Sequence, residues 1–150
     1  MTRLERLARR AHDTRVRLAV AESLTCGAIA STLGAGPGAG EWFAGGVVAY
    51  GTDVKQRVLG LEAGIHPVSA ECAVQLATAV RTLMCADITV SVTGVGGPDP
   101  QDGIPAGTVY LGWASPQDAG HRLLQLPGDP ERVLEGSIEA ALQTFEHLVG

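Results

Sequence analysis

Residues 22–27, with the sequence ESLTCG, bring an acid, two hydroxyls and a thiol together within one short segment. The apolar run over 17–22 predicts a strand, and residues 28–33 resume helical spacing, so the segment lies where a strand passes into a helix. Free backbone N–H groups at the start of a helix can hold a phosphate, or the oxyanion formed when a nucleophile attacks a carbonyl. The same hydroxyls could instead be ordinary helix caps.

Lys55 is the second candidate for chemistry. It follows residues 42–50, which predict a strand, and it lies in the first turn of a short helix that Thr52 or Asp53 would cap and Gly60 would end. On the surface this lysine would be only a solvated charge. If it is partly buried, desolvation lowers its pKa, and the neutral amine can take a proton from a serine hydroxyl. A pair of Ser23 and Lys55 is then chemically reasonable.

A third segment, SVTGVGGP over 91–98, predicts a strand followed by glycines that would let the backbone approach a ligand closely. It lacks the lysine and spacing of a P-loop and does not match the dinucleotide-binding fingerprint. The glycines indicate either a loop beside a ligand or a plain tight turn.

The histidines and cysteines show no metal-ligand spacing, and the three cysteines include no Cys-x-x-Cys pair. We therefore expect no metal site and no disulfide framework. Cys26, Cys72 and Cys85 are all interpreted as small buried thiols. Cys26, beside a helix start, would suit a redox sensor only if its thiol proved exposed and reactive.

The composition limits the classes of partner. A chain of 150 residues with 45% hydrophobic content suits one compact domain over 1–150. The net charge is -5 and the 11 Lys and Arg residues are scattered, which argues against nucleic acid. No apolar run is long enough for a signal peptide or a membrane span, so we expect a cytoplasmic protein without a membrane partner.

Helical and strand patterns alternate along the rest of the chain. Amphipathic spacing predicts a first short helix with its apolar face over 4–11 and a longer helix, capped by Ser69, with its core face over 73–84. It also predicts a last helix with its apolar face over 133–148 and Asp129 near its start. Further strands are predicted over 88–92, 108–113 and 121–126. The predicted fold class is α/β, a three-layer α/β/α sandwich with a mixed, mostly parallel sheet of about five strands. The last two strands are close enough in sequence to pair antiparallel.

Six motifs, in the same order and at similar spacing, resemble the CinA C-terminal domain family. They are ESLTCG (22–27), GGVVAYGTDVK (45–55), HPVS (66–69), SVTGVGGPD (91–99), PAGTVYLGW (105–113) and LPGD (126–129). The length is similar to the stand-alone form of the family, without its larger partner domain.

This family contains nicotinamide-nucleotide amidases (nicotinamide mononucleotide, or NMN, deamidases). They hydrolyse the carboxamide of NMN to nicotinate mononucleotide and ammonia in pyridine-nucleotide salvage. The resemblance implies a Ser/Lys amidohydrolase that needs no metal or cofactor and acts on a small-molecule nucleotide. We also expect a homo-oligomer.

The resemblance implies roles for individual residues. Ser23 matches the family's serine and is assigned as the nucleophile, Lys55 matches its lysine and is assigned as the general base, and Tyr50 joins them as a catalytic candidate. The backbone N–H groups of 25–27 are candidates for an oxyanion hole. The substrate-binding assignments are Glu22, Thr25, Cys26, Gly27, Thr93, Gly94 and Gly107.

The chain also departs from the family pattern. Cys26 occupies the first glycine of the usual T-G-G, and Asp53 replaces an asparagine. Residues 38–40 read Gly-Ala-Gly where Gly-Ser-Ser is common, and Pro130 stands where the family has an arginine that could meet a phosphate, unless Arg132 substitutes. These departures keep open an alternative function, a non-catalytic CinA-like module that binds a nucleotide or another protein.

Overall fold

The computed structural model describes residues 1–150 and contains one five-stranded sheet. The strands are β1 (Leu18–Glu22), β2 (Phe43–Val48), β3 (Ile88–Gly94), β4 (Thr108–Ala114) and β5 (Ala119–Gln125), in the spatial order β2-β1-β3-β4-β5. β1 pairs parallel with both β2 and β3, whereas β3–β4 and β4–β5 are antiparallel pairs. Only β4 therefore runs against the other strands, and the mixed, mostly parallel sheet is confirmed.

Helices cover both faces of this sheet. They are α1 (Arg3–Thr14), α2 (Ala28–Gly34), α3 (Ala39–Trp42), α4 (Thr52–Leu59), α5 (Ala70–Leu83) and α6 (Pro130–Val149). The larger core lies between the sheet and the layer of α1, α2 and α6, and the smaller core lies on the other face, under α4 and α5. The predicted three-layer α/β/α sandwich is confirmed. None of the helices combines the length and apolar character needed to cross a membrane.

The chain leaves β1 and β2 toward opposite faces of the sheet. After β1 it enters α2 on one face, and after β2 it enters α4 on the other. Where neighbouring parallel strands send their connections to opposite faces, a crevice opens at their carboxyl ends, and ligands bind there in open α/β folds. Ser23 directly follows β1 and Lys55 lies in α4, so this topology brings both to the same crevice.

Local capping explains several helix starts. The Ser69 hydroxyl accepts the N–H of Cys72 at 3.1 Å, and the Asp129 carboxylate accepts that of Glu131 at 3.0 Å. The predicted Ser69 cap is confirmed, and Asp129, predicted near the start of the last helix, is its N-cap. Gly60 ends α4 as predicted and adopts a left-handed conformation there. The predicted caps of α4 are wrong: its N-cap is Gly51, with no side-chain hydrogen bond, and Asp53 instead pairs with Arg57 at 2.8 Å.

Helix α3 lies where the glycines of residues 34–40 favour a loop, and it includes Trp42, which the sequence pattern placed in a strand. Trp42 is the last residue of this short helix, and its indole N–H donates to the carbonyl of Pro37 at 2.9 Å. Its ring packs on Gly36, where a Cβ would lie 2.8 Å from the indole. The tryptophan is thereby buried in the larger core rather than placed in β2.

Helix α5 approaches the sheet very closely where it crosses β3 and β4. The hydroxyls of Thr89 and Ser91 donate to the carbonyls of Ala77 and Ala73 in α5. In β4, a Cβ built on Gly112 would overlap the Ala73 carbonyl. A residue without a side chain at position 112 is therefore required for this approach.

Gly112→Ala is expected to lower the free energy of unfolding by about 3 kcal/mol, because the added methyl has no space and the backbone of α5 must move. Gly40→Ala in α3 is the matched control, since nothing lies within 4 Å of its Cβ position. That variant should be neutral or up to about 1 kcal/mol more stable. Urea denaturation of both proteins checks the difference, and equal stability of the two variants would contradict the close approach.

Candidate active site

A small cavity of about 80 Å³ lies at the carboxyl ends of β1, β2 and β3. Most of its walls are polar. Its lining residues are Ser23, Leu24, Tyr50, Thr52, Lys55, Pro67, Val68, Thr93, Gly94, Gly96 and Gln101. The structure therefore brings Ser23, Lys55, Tyr50, Thr93 and Gly94, all predicted as site residues, around one space.

Ser23 occupies the first position after β1 and is 6% exposed. Its carbonyl accepts the N–H of Cys26 at 3.1 Å, which turns the chain sharply before α2 begins. Its hydroxyl lines the cavity and has no acceptor or donor elsewhere in the chain, so it is available to a ligand. A serine in this setting is a candidate nucleophile rather than a helix cap.

Lys55 is 2% exposed, so the interpretation as a solvated surface charge is wrong. Its Nζ donates to the carbonyl of Tyr50 at 2.8 Å, and no carboxylate forms an ion pair with it. Burial lowers the pKa of this amine, and the nearby Cys72 offsets that effect only in part. Desolvation without a counter-ion favours the neutral amine, which is the form that can accept a proton.

Tyr50 contributes to the site in a different way from the one predicted. Its side chain is 67% exposed at the mouth of the cavity, and its carbonyl, not its phenol, contacts Lys55. The backbone of Tyr50 thus orients the buried amine, and the phenol is left to meet a ligand at the entrance.

Cys72 lies under the cavity and was not predicted as a site residue. This α5 thiol is fully buried, as expected, and close enough to Lys55 and Thr93 to interact with both. Burial raises the pKa of the thiol, and the Lys55 charge acts in the opposite direction. Lys55 therefore has a thiol that resists ionisation as its neighbour, where a carboxylate would have held the amine charged. The only signal in the sequence was its place in the first turn after the Ser69 cap.

Glu22 does not face the cavity, contrary to its assignment to substrate binding. Its carboxylate is 1% exposed and turns toward the start of α2. Oε1 accepts the Thr25 hydroxyl at 2.6 Å and the N–H of Ile29 at 2.9 Å, and Oε2 accepts the N–H of Ala30 at 2.9 Å. Glu22 and the Thr25 hydroxyl therefore hold the turn that carries Ser23.

These contacts also correct the picture of the helix start as an anion site. The first-turn N–H groups of α2 already bind Glu22, and the N–H of Cys26 is taken by Ser23. Of the predicted oxyanion donors over 25–27, Thr25 and Gly27 keep N–H groups without an acceptor in the chain, and so does Leu24. The N–H groups of Leu24 and Thr25 are the nearest to the cavity along the chain.

Cys26 and Gly27 both adopt positive φ, at 49° and 95°. This left-handed region favours glycine, which is the residue that the family resemblance leads us to expect at position 26. Cys26 is exposed, and so is Cys85, so the interpretation of all three cysteines as buried thiols is wrong for these two. Gly27 is the N-cap of α2. It lines neither this cavity nor the larger groove next to it, so its position does not support its assignment to substrate binding.

That larger groove, of about 520 Å³, opens beside the small cavity. Its lining residues are Leu24, Thr25, Cys26, Tyr50, Val95, Gly96, Gly97, Asp99, Pro100, Gln101, Pro130, Val133 and Leu134. Asp99 is the only charged residue among them. Neither Arg132 nor Asp53 reaches this groove or the small cavity, so Arg132 does not supply the family's missing arginine here.

Gly94 and Gly107 are required for packing. A Cβ on Gly94 would overlap the carbonyl of Thr108, and one on Gly107, whose φ is +92°, would overlap that of Leu126. Gly94 still lines the small cavity, but Gly107 lines neither space, and its assignment to substrate binding is corrected.

Comparison with known proteins shows the family of the chain. The model of the CinA C-terminal domain family matches residues 2–149. The chain belongs to the CinA C-terminal domain family. It is 38% identical over 136 residues to a CinA-like protein from Frankia casuarinae, covering 88% of this chain and 31% of that protein. The chain spans about a third of the length of the curated CinA relatives it matches.

Solved structures of the CinA superfamily share the whole fold. A competence or damage-inducible protein from Enterobacter asburiae superposes with a TM-score of 0.95 at 27% identity, covering 99% of this chain and 96% of that one. A competence-damaged protein (CinA) superfamily member from Klebsiella pneumoniae gives 0.93 at 30% identity, covering 98% and 95%. The CinA fold is therefore present across the chain.

Glu22→Gln is expected to lower the free energy of unfolding by about 2–3 kcal/mol, because an amide cannot accept from all three donors that the carboxylate binds. Glu62→Gln, an exposed residue without an ion pair, is the control and should change stability by less than about 0.5 kcal/mol. Urea denaturation at neutral pH measures both. A Glu22→Gln protein as stable as the parent would show that the buried carboxylate does not hold the turn.

Proposed function

We propose that this CinA-family chain is an amidohydrolase that converts NMN to nicotinate mononucleotide and ammonia by a Ser/Lys mechanism. The observation that carries the proposal is the pairing of a buried serine and a buried lysine without a counter-ion in one small polar cavity. A single compact domain, a cytoplasmic location and a homo-oligomeric state belong to the same proposal.

The reaction follows from the neutral amine. Lys55 Nζ accepts the proton of the Ser23 hydroxyl while Ser23 Oγ bonds to the amide carbon, which gives a tetrahedral oxyanion. The C–N bond then breaks, Lys55 returns the proton to the leaving nitrogen, and ammonia departs from an acyl-enzyme ester. Water attacks the ester with Lys55 again accepting a proton, and the carboxylic acid and Ser23 are released. Each proton that Lys55 takes it gives back within the same half-reaction.

Backbone N–H groups are the available donors to the oxyanion. Leu24 and Thr25 follow the nucleophile directly, and their N–H groups have no acceptor within the chain. Donors fixed by a rigid turn stabilise developing charge without reorganising, and one such donor is worth about 10²–10³ in kcat. The rigidity here comes from the Glu22 contacts to α2.

The sizes of the two spaces suit a substrate with a small reactive end and a larger tail. The 80 Å³ cavity takes the carboxamide end, and the 520 Å³ groove takes the remainder of the nucleotide. Because the groove has no lysine or arginine, binding there depends on neutral groups more than on a cation that meets the phosphate.

Ser23→Ala and Lys55→Ala are each expected to lower ammonia release from NMN by at least about 10³-fold, since each removes a group that takes part in bond formation. Arg57→Gln, an exposed change on the same helix as Lys55, is the control and should retain parental activity. The assay is a coupled measurement of ammonia without added metal. Full activity in either alanine variant would exclude the dyad.

A silent parent that still binds NMN by calorimetry would instead identify the alternative, a CinA-like module that binds a nucleotide without turnover. The observation that favours this alternative is Cys26 in a left-handed conformation beside the nucleophile, where the family has glycine.

The pH dependence of activity reports Lys55 directly. Because burial lowers the pKa of Lys55 below its ordinary 10.5, the neutral amine forms at lower pH than in solution. We expect kcat/KM to rise with pH and to level off above this lowered pKa, before 10.5 is reached. Lys55→Arg, which stays charged, should be inactive throughout. Rates measured from about pH 5 to about pH 10 test this, and a profile that is flat over the whole range would exclude Lys55 as the base.

A further inference from the structure

Four residues line both the small cavity and the larger groove, and so form a neck between them. They are Leu24, Tyr50, Gly96 and Gln101. Leu24 and Gly96 bring no polar side chain. Any polar discrimination at the neck therefore comes from the Tyr50 phenol and the Gln101 amide.

Gln101 is held by its backbone while its side chain remains free. Its N–H donates to the carbonyl of Ile104 at 3.0 Å, and the N–H of Ile104 donates back at 2.8 Å. The side chain is exposed and its amide has no hydrogen-bond partner in the chain. Because the backbone is already fixed, the freedom that Gln101 loses on binding a ligand is limited to its side-chain rotamers.

The loop that carries Gln101 is tied to the floor of the small cavity. Nε2 of His66 lies 3.1 Å from Oδ2 of Asp102, the next residue along. Nδ1 of His66 accepts the N–H of Val68 at 3.0 Å, so the proton of a neutral imidazole is on Nε2 and points to Asp102. Val68 lines the cavity itself. The position of Gln101 is thus set relative to the residues around Lys55 and not by the loop alone.

The two polar side chains at the neck are suited to hydrogen-bond hydroxyl groups. A glutamine amide offers two N–H donors and a carbonyl acceptor, and a phenol offers one O–H, which together match the donor and acceptor character of neighbouring sugar hydroxyls. A phosphate would want cationic partners, and the only charged residue that lines either space besides Lys55 is Asp99.

We infer that Gln101 is a specificity-determining residue that hydrogen-bonds the ribose hydroxyls of a substrate whose carboxamide lies in the small cavity. The inference rests on the proposed function for the identity of the ring, and it extends that function by assigning the group that recognises the sugar. In this arrangement the protein distinguishes a ribosylated ring from the free base.

Binding of nicotinate riboside and of nicotinate tests this by calorimetry, because neither compound carries an amide and no turnover is needed. Gln101→Leu keeps much of the side-chain volume without the hydrogen bonds, and Gln101→Ala removes both. Each variant is expected to bind nicotinate riboside about three- to tenfold more weakly than the parent, with nicotinate unchanged, which is the loss of one or two net hydrogen bonds. Gln56→Ala, an exposed glutamine on α4 outside both spaces, is the control.

The outcomes separate the inference from the proposed function. Ammonia release from NMN decides the function whatever Gln101 does. The sugar assignment is overturned if the parent binds nicotinate riboside no more tightly than nicotinate, or if the Gln101 variants bind both compounds as the parent does. Equal weakening for both compounds, or weakening in the alanine variant alone, would also overturn it, because each points to the shape of the neck and not to hydrogen bonding.

Discussion

The carboxylate of Glu22 is placed at the end of the central parallel strand and directed into the start of the next helix. The carboxylate accepts hydrogen bonds from the Thr25 hydroxyl and from the N–H groups of Ile29 and Ala30. The main-chain carbonyl of Glu22 accepts the N–H of Ala49, just beyond β2. One residue thus joins β1 to α2 and to the strand beside it. Ser23 is the neighbour of this anchor, so its position depends on a charge that never meets the ligand. Hydrogen bonds to a charged acceptor are about twice as strong as neutral ones, so these contacts hold the turn between β1 and α2 rigidly.

The second constraint is the cost of burying an amine without a carboxylate. Lys55 has one hydrogen bond, to a carbonyl, and an uncharged thiol behind it. The unfolded chain binds a proton at this lysine more readily than the native chain does. The free energy of unfolding therefore rises as the pH rises from the lowered native pKa toward 10.5, and this contribution is absent below the lowered pKa. This loss of stability is the consequence of keeping a basic amine inside a cavity. An acid in place of Cys72 would hold the lysine charged.

Much of the fold followed from local sequence patterns. The parts of the site that the sequence did not predict depend on the direction in which side chains point. Ser69 and Asp129 obey capping rules that need only neighbouring residues, and the meeting of Ser23 with Lys55 follows from strands that end at one edge. The sequence could not assign Glu22 correctly, because a carboxylate beside a serine gives the same sequence pattern whether its side chain faces a ligand or a helix. Helix α3 was missed because its glycines predict a loop, and the burial of Trp42 outweighs that preference. Cys72 was undervalued because its neighbour Lys55 is distant in sequence.

The topology of the sheet has a consequence for how variable this protein's interior can be. Ser23 directly follows β1, and Lys55 lies in α4, which the chain enters after leaving the adjacent strand β2. Main-chain hydrogen bonds set the separation of these two parallel strands, with Glu22 level with Val48. Strands in a sheet lie about 4.8 Å apart whatever side chains they carry. Main-chain hydrogen bonds therefore fix the separation of the two strands that lead to these groups. Apolar residues in the helix layers above and below can be exchanged over evolutionary time without changing that separation.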